Sequence, residues 1–171
     1  STQEDFRNSF VGSDLLSGLF RHWLKLCYNC ADVIVTPTEY SKQLLQSYGI
    51  KKEIYAVSNG IDISDYVRNE QAGICFREKY GYKSNDKIIM SAGLLIKRKG
   101  ILDFVSLARK MPDYQFIWFG SGNLLSAGKA VRTAVKEKIS NLRFAGYVKK
   151  DELKAAYSGC DLFLFPSFEE T

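Results

Sequence analysis

Histidine is nearly absent from this chain: His22 is the only one among 171 residues. Cysteine is scarce too, with four residues, Cys27, Cys30, Cys75 and Cys160. Cys27 and Cys30 form a lone C-x-x-C. A structural zinc site needs a second ligand pair, which the sequence does not supply. A redox pair needs a thioredoxin-like setting, and none surrounds these residues. Their helical spacing is therefore expected to reflect burial, and reduced thiols fit the cytoplasm. Long apolar runs are missing as well. The stretch from Phe10 to Cys30 is interrupted by Asp14, Arg21, His22 and Lys25, so nothing reaches the ~20 residues of a transmembrane helix. The opening STQEDFRN is polar and acidic, unlike a signal peptide. Internal repeats and low-complexity segments are lacking, which argues against solenoid and disordered classes. Strong net charge is absent too. A value of +5 is too mild to point to nucleic acid, but it suits an anionic ligand or an anionic membrane surface.

What is present is ample material for a core, with 46% hydrophobic and 13% aromatic residues. SDLLSGLFRHWLKLCY, residues 13–28, has helical periodicity. Its stripe holds Leu15, Leu16, Leu19, Phe20, Trp23, Leu24 and Cys27. DVIVT (32–36) reads as a buried strand, Thr38 opens a helix that ends at Gly49, and EIYAV (53–57) is a second strand. SNGID (58–62) is a turn. A polar helix is expected over 69–80. After it the rhythm becomes regular. KIIMSAG is a strand, KGILDFVSLARKM a helix and YQFIWFG a strand. Residues 125–139 form a helix with a basic face. NLRFAG is a strand, KDELKAAYSG a helix and DLFLF a buried-looking strand. This alternation predicts an α/β fold: a Rossmann-like, doubly wound parallel sheet with helices on both faces. Residues 1–57 are too few for a full sheet and read as the end portion of one domain. Residues 58–62 read as a linker, and 63–171 as most of a second domain.

In such folds ligands bind beyond the carboxyl ends of the strands. Three clusters are expected there. In SAGLLIKRKG (91–100), Gly93 permits a tight turn, and Lys97, Arg98 and Lys99 crowd a helix start, where anions are favoured. A solvated basic loop would look the same, and the spacing matches neither a P-loop nor G-x-G-x-x-G. In FGSGN (119–123), Gly120 and Gly122 allow a ligand close to the backbone, as would an ordinary strand-to-helix turn. AGYV (145–148) offers backbone groups to a base edge. In PSFEE, Pro166 ends the strand, Ser167 can cap the segment after it, and Glu169 and Glu170 reach the same edge or are simply solvated. Taken together, cations, glycines and carboxylates on one crevice suit a sugar nucleotide.

The ordered string SNGID, SAGLLIKRKG, FIWFGSG, LRFAGYV and DELKAAYSGCDLFLFPSFEE resembles the retaining glycosyltransferases of family 4. These have the GT-B fold, two Rossmann-like domains facing across a cleft. RKGILDFVSLARKMPDYQFIWFG and FLFPSFEET are similar to the bacterial diacylglycerol glucosyltransferases within that family.

The resemblance implies transfer of glucose from UDP-glucose to a diacylglycerol-type lipid acceptor, with retention at the anomeric carbon. It also implies no metal, and a cytoplasmic enzyme peripheral to the inner face of the cell membrane. The acceptor would bind mainly to the N-terminal domain and the donor to the C-terminal one. Arg98 and Lys99 would contact the diphosphate, with Gly93 shaping the loop and Gly120 beside it. Gly146, Tyr147 and Val148 would line the base pocket through backbone atoms. Glu170 matches the first glutamate of the family's E-x7-E motif and would face the donor sugar as the catalytic carboxylate. The second glutamate would lie beyond Thr171. One departure is Leu94, where many members have arginine, so that neutralisation would rest on Arg98 and Lys99. The acceptor-side histidine is unaccounted for, since His22 lies on an apolar helix. Alternatives are another sugar or acceptor within the family, or a nucleotide-binding module without catalysis.

Overall fold

Strands buried on both faces read as continuous apolar runs, and here two such runs lie at the centre of a parallel sheet. The computed structural model describes residues 13–168, with side chains from residue 17 onward. The chain divides into two compact units between Ile61 and Asp62.

In the first unit, helix α1 (Ser13–Asn29) precedes strand β1 (Val33–Thr36), helix α2 (Glu39–Ser47) and strand β2 (Glu53–Ala56). Thr38 caps α2, its hydroxyl oxygen accepting from the Ser41 amide at 3.1 Å. The two strands pair in parallel, Ile34 opposite Ile54. One face of this sheet carries a small core of Ile34, Leu45, Tyr48, Ile50 and Ile54. On the other, Val33, Val35 and Tyr55 are exposed. The strands therefore alternate instead of being buried on both sides as expected.

The buried stripe of α1 is also narrower than its periodicity predicts. Ser17 and Leu24 are buried, whereas Leu19, Trp23 and Leu26 are exposed. Cys27 and Cys30 are exposed too, which corrects the expectation that their spacing reflects burial. Among the described residues, two strands and one neighbouring helix offer too small a surface to cover a stripe this broad. His22 is on the surface as well.

The second unit opens with a 3-10 turn, Ile63–Tyr66. Then come α3 (Glu70–Tyr80), β3 (Lys87–Ala92), a second 3-10 turn (Lys97–Lys99), α4 (Ile101–Lys110) and β4 (Tyr114–Phe119). They are followed by α5 (Lys129–Lys136), β5 (Leu142–Gly146), α6 (Lys150–Gly159) and β6 (Leu162–Phe163). Helix α5 is shorter than predicted. Gly128 has φ 85°, which a right-handed helix cannot include, and Glu137 turns extended at the other end.

The four strands are parallel in the order β5-β4-β3-β6. Helices α4 and α5 cover one face through Ile101, Phe104, Ala108 and Val131, packed with Ile89, Phe116 and Trp118. Helices α3 and α6 cover the other through Phe76 and Ala156, packed with Ile88, Met90, Ile117 and Phe119. This is the doubly wound α/β arrangement. The chain moves outward from β3 to β5 and then crosses back to place β6 on the far side of β3. In doubly wound sheets such a reversal marks where ligands bind, here at the carboxyl ends of β3 and β6. Strand β6 is not buried as its apolar letters predict: Leu162, Phe163 and Phe165 are exposed. It pairs with β3 alone, so among the described residues its other edge has no neighbour.

The opposite end of the sheet is closed by Arg77 on α3. Its guanidinium donates to the carbonyls of Gly159, Lys83 and Asp86 at 2.8, 3.1 and 3.0 Å. It also donates to Asp161 Oδ2 at 2.9 Å. One side chain thus ties α3, the loop before β3 and the start of β6. Arg77→Ala is expected to destabilise the chain by about 2 kcal/mol, because four acceptor contacts, two of them partly buried, are lost at once. Urea unfolding measures this, and a cost below ~0.5 kcal/mol would show these contacts to be incidental.

Candidate nucleotide-sugar site at the carboxyl edge

The loops that leave β6, β3, β4 and β5 touch in succession along the sheet edge. Gly93, after β3, donates its amide to the Phe119 carbonyl at 2.9 Å. Its own carbonyl accepts from the Trp118 indole N–H at 3.0 Å. Gly120 lies against that same carbonyl, and a Cβ on Gly120 would come within 2.2 Å of it. With φ at +117° as well, no other residue fits at 120 without movement. The Gly120 amide then donates to the Gly146 carbonyl at 2.7 Å. A bulge in β5 makes this possible, since Trp118 pairs with Phe144 but Phe119 pairs with Gly146. Three glycine-bearing loops are thereby sewn together through backbone groups.

Lys97, Arg98 and Lys99 form the 3-10 turn that leads into α4. Lys97 is exposed, while Arg98 and Lys99 are half-buried. The Lys99 stem lies beside Gly93, its Cγ 3.5 Å from where a Cβ would stand. Its ammonium sits 5.5 Å from the centre of the Phe165 ring. The start of α4 has no side-chain cap, and Asp103 stands in its first turn. The Arg98 carbonyl accepts from the Phe168 amide at 3.0 Å, which brings the segment after β6 onto the basic turn.

Of the residues expected to act, Gly93, Lys99, Gly120 and Gly146 thus lie along one continuous edge, with Arg98 at its β6 end. Tyr147 is 80% exposed there. The side chain of Val148 packs into the α3/α6 core. Gly146, at φ +74°, has open space where a side chain would project. Glu170 lies outside the described residues, as does Glu169. The Ser167 hydroxyl is buried and has no hydrogen-bond partner, so it caps nothing among the described residues. Leu94 is 53% exposed and supplies no charge at the site.

Two residues that the sequence did not single out prove central. Gly100 stands at φ +73° between the basic turn and α4, with the Pro166 carbonyl packed against it. Trp118 holds the Gly93 carbonyl from within the core. A K-G pair before a helix could have flagged the first. A tryptophan inside an apolar strand gives no such signal. Elsewhere, burial pushes the Cys160 thiol up to about 11, so it stays protonated and unreactive near neutral pH. Among the described residues no group of histidine, cysteine and carboxylate side chains could hold a metal ion.

Residues 6–65 match Glycosyltransferase Family 4, and residues 74–171, more than half of the chain, match Glycosyl transferases group 1. The chain belongs to this glycosyltransferase family. It is 41% identical over its whole length to the processive diacylglycerol alpha-glucosyltransferase of Acholeplasma laidlawii, covering 52% of that protein. It is 29% identical to the alpha-galactosylglucosyldiacylglycerol synthase of Streptococcus pneumoniae over 91% of this chain and 43% of that one. The glycosyltransferase chain thus spans about half the length of the curated relatives it matches. Among solved structures it resembles sucrose-phosphate synthase from Thermosynechococcus elongatus, with TM-score 0.75 and 20% identity over 90% of this chain and 39% of that one. It also resembles Anabaena HepE in complex with UDP, with TM-score 0.74 and 16% identity over 96% of this chain and 46% of that one. These likenesses place its fold in the GT-B class.

Proposed function

We propose that this chain carries the donor half of a retaining glycosyltransferase that moves glucose from UDP-glucose to a diacylglycerol-type lipid. The observation that carries the reading is the meeting of the Lys97–Lys99 turn, the Gly93 and Gly120 loops and the Pro166–Phe168 segment at the topological switch point. The identity to a diacylglycerol glucosyltransferase supports the choice of sugar and acceptor. HepE structures in complex with UDP-glucose and with UDP and glucose support a nucleotide-sugar ligand for this fold.

The diphosphate would lie on Arg98, Lys99 and the uncapped start of α4. Negative charge grows on the UDP leaving group as the glycosidic bond breaks, and fixed cations beside a helix N-terminus stabilise it there. The base would meet backbone groups of Gly146–Val148, with Tyr147 at the rim. Glu170 would face the sugar. The anomeric carbon becomes oxocarbenium-like, and attack of the acceptor hydroxyl from the leaving-group side gives retention. No metal is assigned a role.

Residues 1–57 would be the last part of the acceptor-side domain, 58–62 the linker and 63–171 the donor domain. With so little of the acceptor side, the isolated chain is expected to turn over slowly or not at all. Action on a bilayer lipid implies a cytoplasmic protein at the inner membrane surface. No helix among the described residues is long and apolar enough to cross a membrane.

Calorimetric titration of the 171-residue chain tests the donor assignment. UDP and UDP-glucose should bind at least ~10-fold more tightly than GDP-mannose, a gap of about 1.4 kcal/mol. Equal affinity for the two sugars would favour a different donor within the family. Absence of binding to all three would remove the nucleotide reading altogether.

A further inference from the structure

Gly100 combines two constraints that rarely coincide. Its φ of +73° is disfavoured for any side chain, and a Cβ there would lie 2.1 Å from the Pro166 carbonyl oxygen and 2.6 Å from its carbon. Backbone atoms cannot swing aside as a flexible side-chain end can. Directly before it, the Arg98 carbonyl receives the Phe168 amide at 3.0 Å, and Lys99 reaches over Phe165. Among the described residues, the basic turn after β3 and the segment after β6 therefore meet through a hydrogen bond, a cation–π contact and a bare Cα. Gly100 also closes the preceding 3-10 turn in the left-handed conformation, its amide donating to the Lys97 carbonyl at 2.9 Å.

We infer that Gly100 is a positioning residue: it lets the Pro166–Phe168 segment clamp the Arg98–Lys99 turn, so that the cations are aimed at the diphosphate. Any side chain at 100 pushes the clamp open and leaves the two cations present but misdirected. Gly100 bears on nucleotide binding only if the donor site is where we place it; the clamp itself does not depend on that reading.

Gly81 provides an internal control. It has the same φ of +73°, with nothing within 4 Å of the place a Cβ would take. Gly81→Ala therefore carries the backbone strain alone, and Gly100→Ala carries strain plus collision. The whole chain is used, with amide hydrogen exchange at Phe168 read by NMR and UDP and uridine affinities read by calorimetry. Gly100→Ala should speed Phe168 exchange at least ~10-fold, whereas Gly81→Ala should leave it within ~2-fold. Gly100→Ala should also weaken UDP at least ~10-fold while changing uridine less than ~2-fold. Unchanged Phe168 exchange in Gly100→Ala, or no protection of that amide in the parent chain, overturns the clamp. Equal losses for UDP and uridine overturn the positioning role, because they mean that the whole edge has moved. If the parent chain binds no UDP while the exchange results hold, the clamp stands and the donor-site reading fails.

Discussion

Replacing Arg98 and Lys99 together by alanine is expected to weaken UDP binding by at least ~100-fold while changing uridine binding by less than ~3-fold. The number follows from the type of contact. A hydrogen bond to a charged group contributes about 1.5–3 kcal/mol, and each 1.4 kcal/mol is a factor of ten. Both side chains are half-buried on a short turn, so they are partly shielded from screening and held in few rotamers. Uridine has no phosphate and should be nearly indifferent to their loss. Lys97, exposed on the same turn, is the natural control, and Lys97→Ala should cost less than ~3-fold for either ligand. Calorimetry on the three variants decides the matter. If UDP and uridine lose affinity alike, the basic turn does not hold the diphosphate.

The second large effect is on stability and reaches the site from below. Trp118→Ala should destabilise the chain by about 4 kcal/mol, because removing a buried aromatic loses its transfer energy and leaves a cavity. Trp118 is fully buried, and Phe104 meets it edge-on with ring centres 5.2 Å apart. Trp118→Phe keeps much of the volume and should cost only ~1–2 kcal/mol, but it removes the indole donor from the Gly93 carbonyl. That carbonyl is the contact against which Gly120 packs. The phenylalanine variant should therefore weaken UDP binding more than its modest stability loss suggests, by about 5-fold. Urea unfolding and calorimetry on the same samples separate the two. A Trp118→Ala cost under ~1 kcal/mol would contradict the packing described for this core.

The loops at the carboxyl edge of the sheet were readable because glycine and charge leave plain marks. A glycine at the end of an apolar strand and three cations before an amphipathic helix announce themselves at Gly93, Gly120 and Lys97–Lys99. Helix existence was equally plain, and α3 and α4 begin within two residues of where their patterns start. Exposure was not readable. The letters of DLFLF match those of a central strand, yet among the described residues β6 pairs with β3 alone, and whether a second neighbour covers it is not encoded in its own residues. Cys27, Trp23 and Leu19 fail for the same reason: periodicity says which side of α1 is apolar, not how wide its partner is.

The sequence alone determined the alternation of strands and helices, the parallel sheet that alternation requires, and the motif string that marks the glycosyltransferase family. These are local properties, set by side-chain period, by turn residues and by the order of short phrases. Only the tertiary structure decided that β6 returns beside β3, that Gly120 seats itself on the Gly93 carbonyl, and that Pro166 closes on Gly100. Each of those joins residues distant in the chain through backbone approach, and backbone atoms are the same at every position in a sequence.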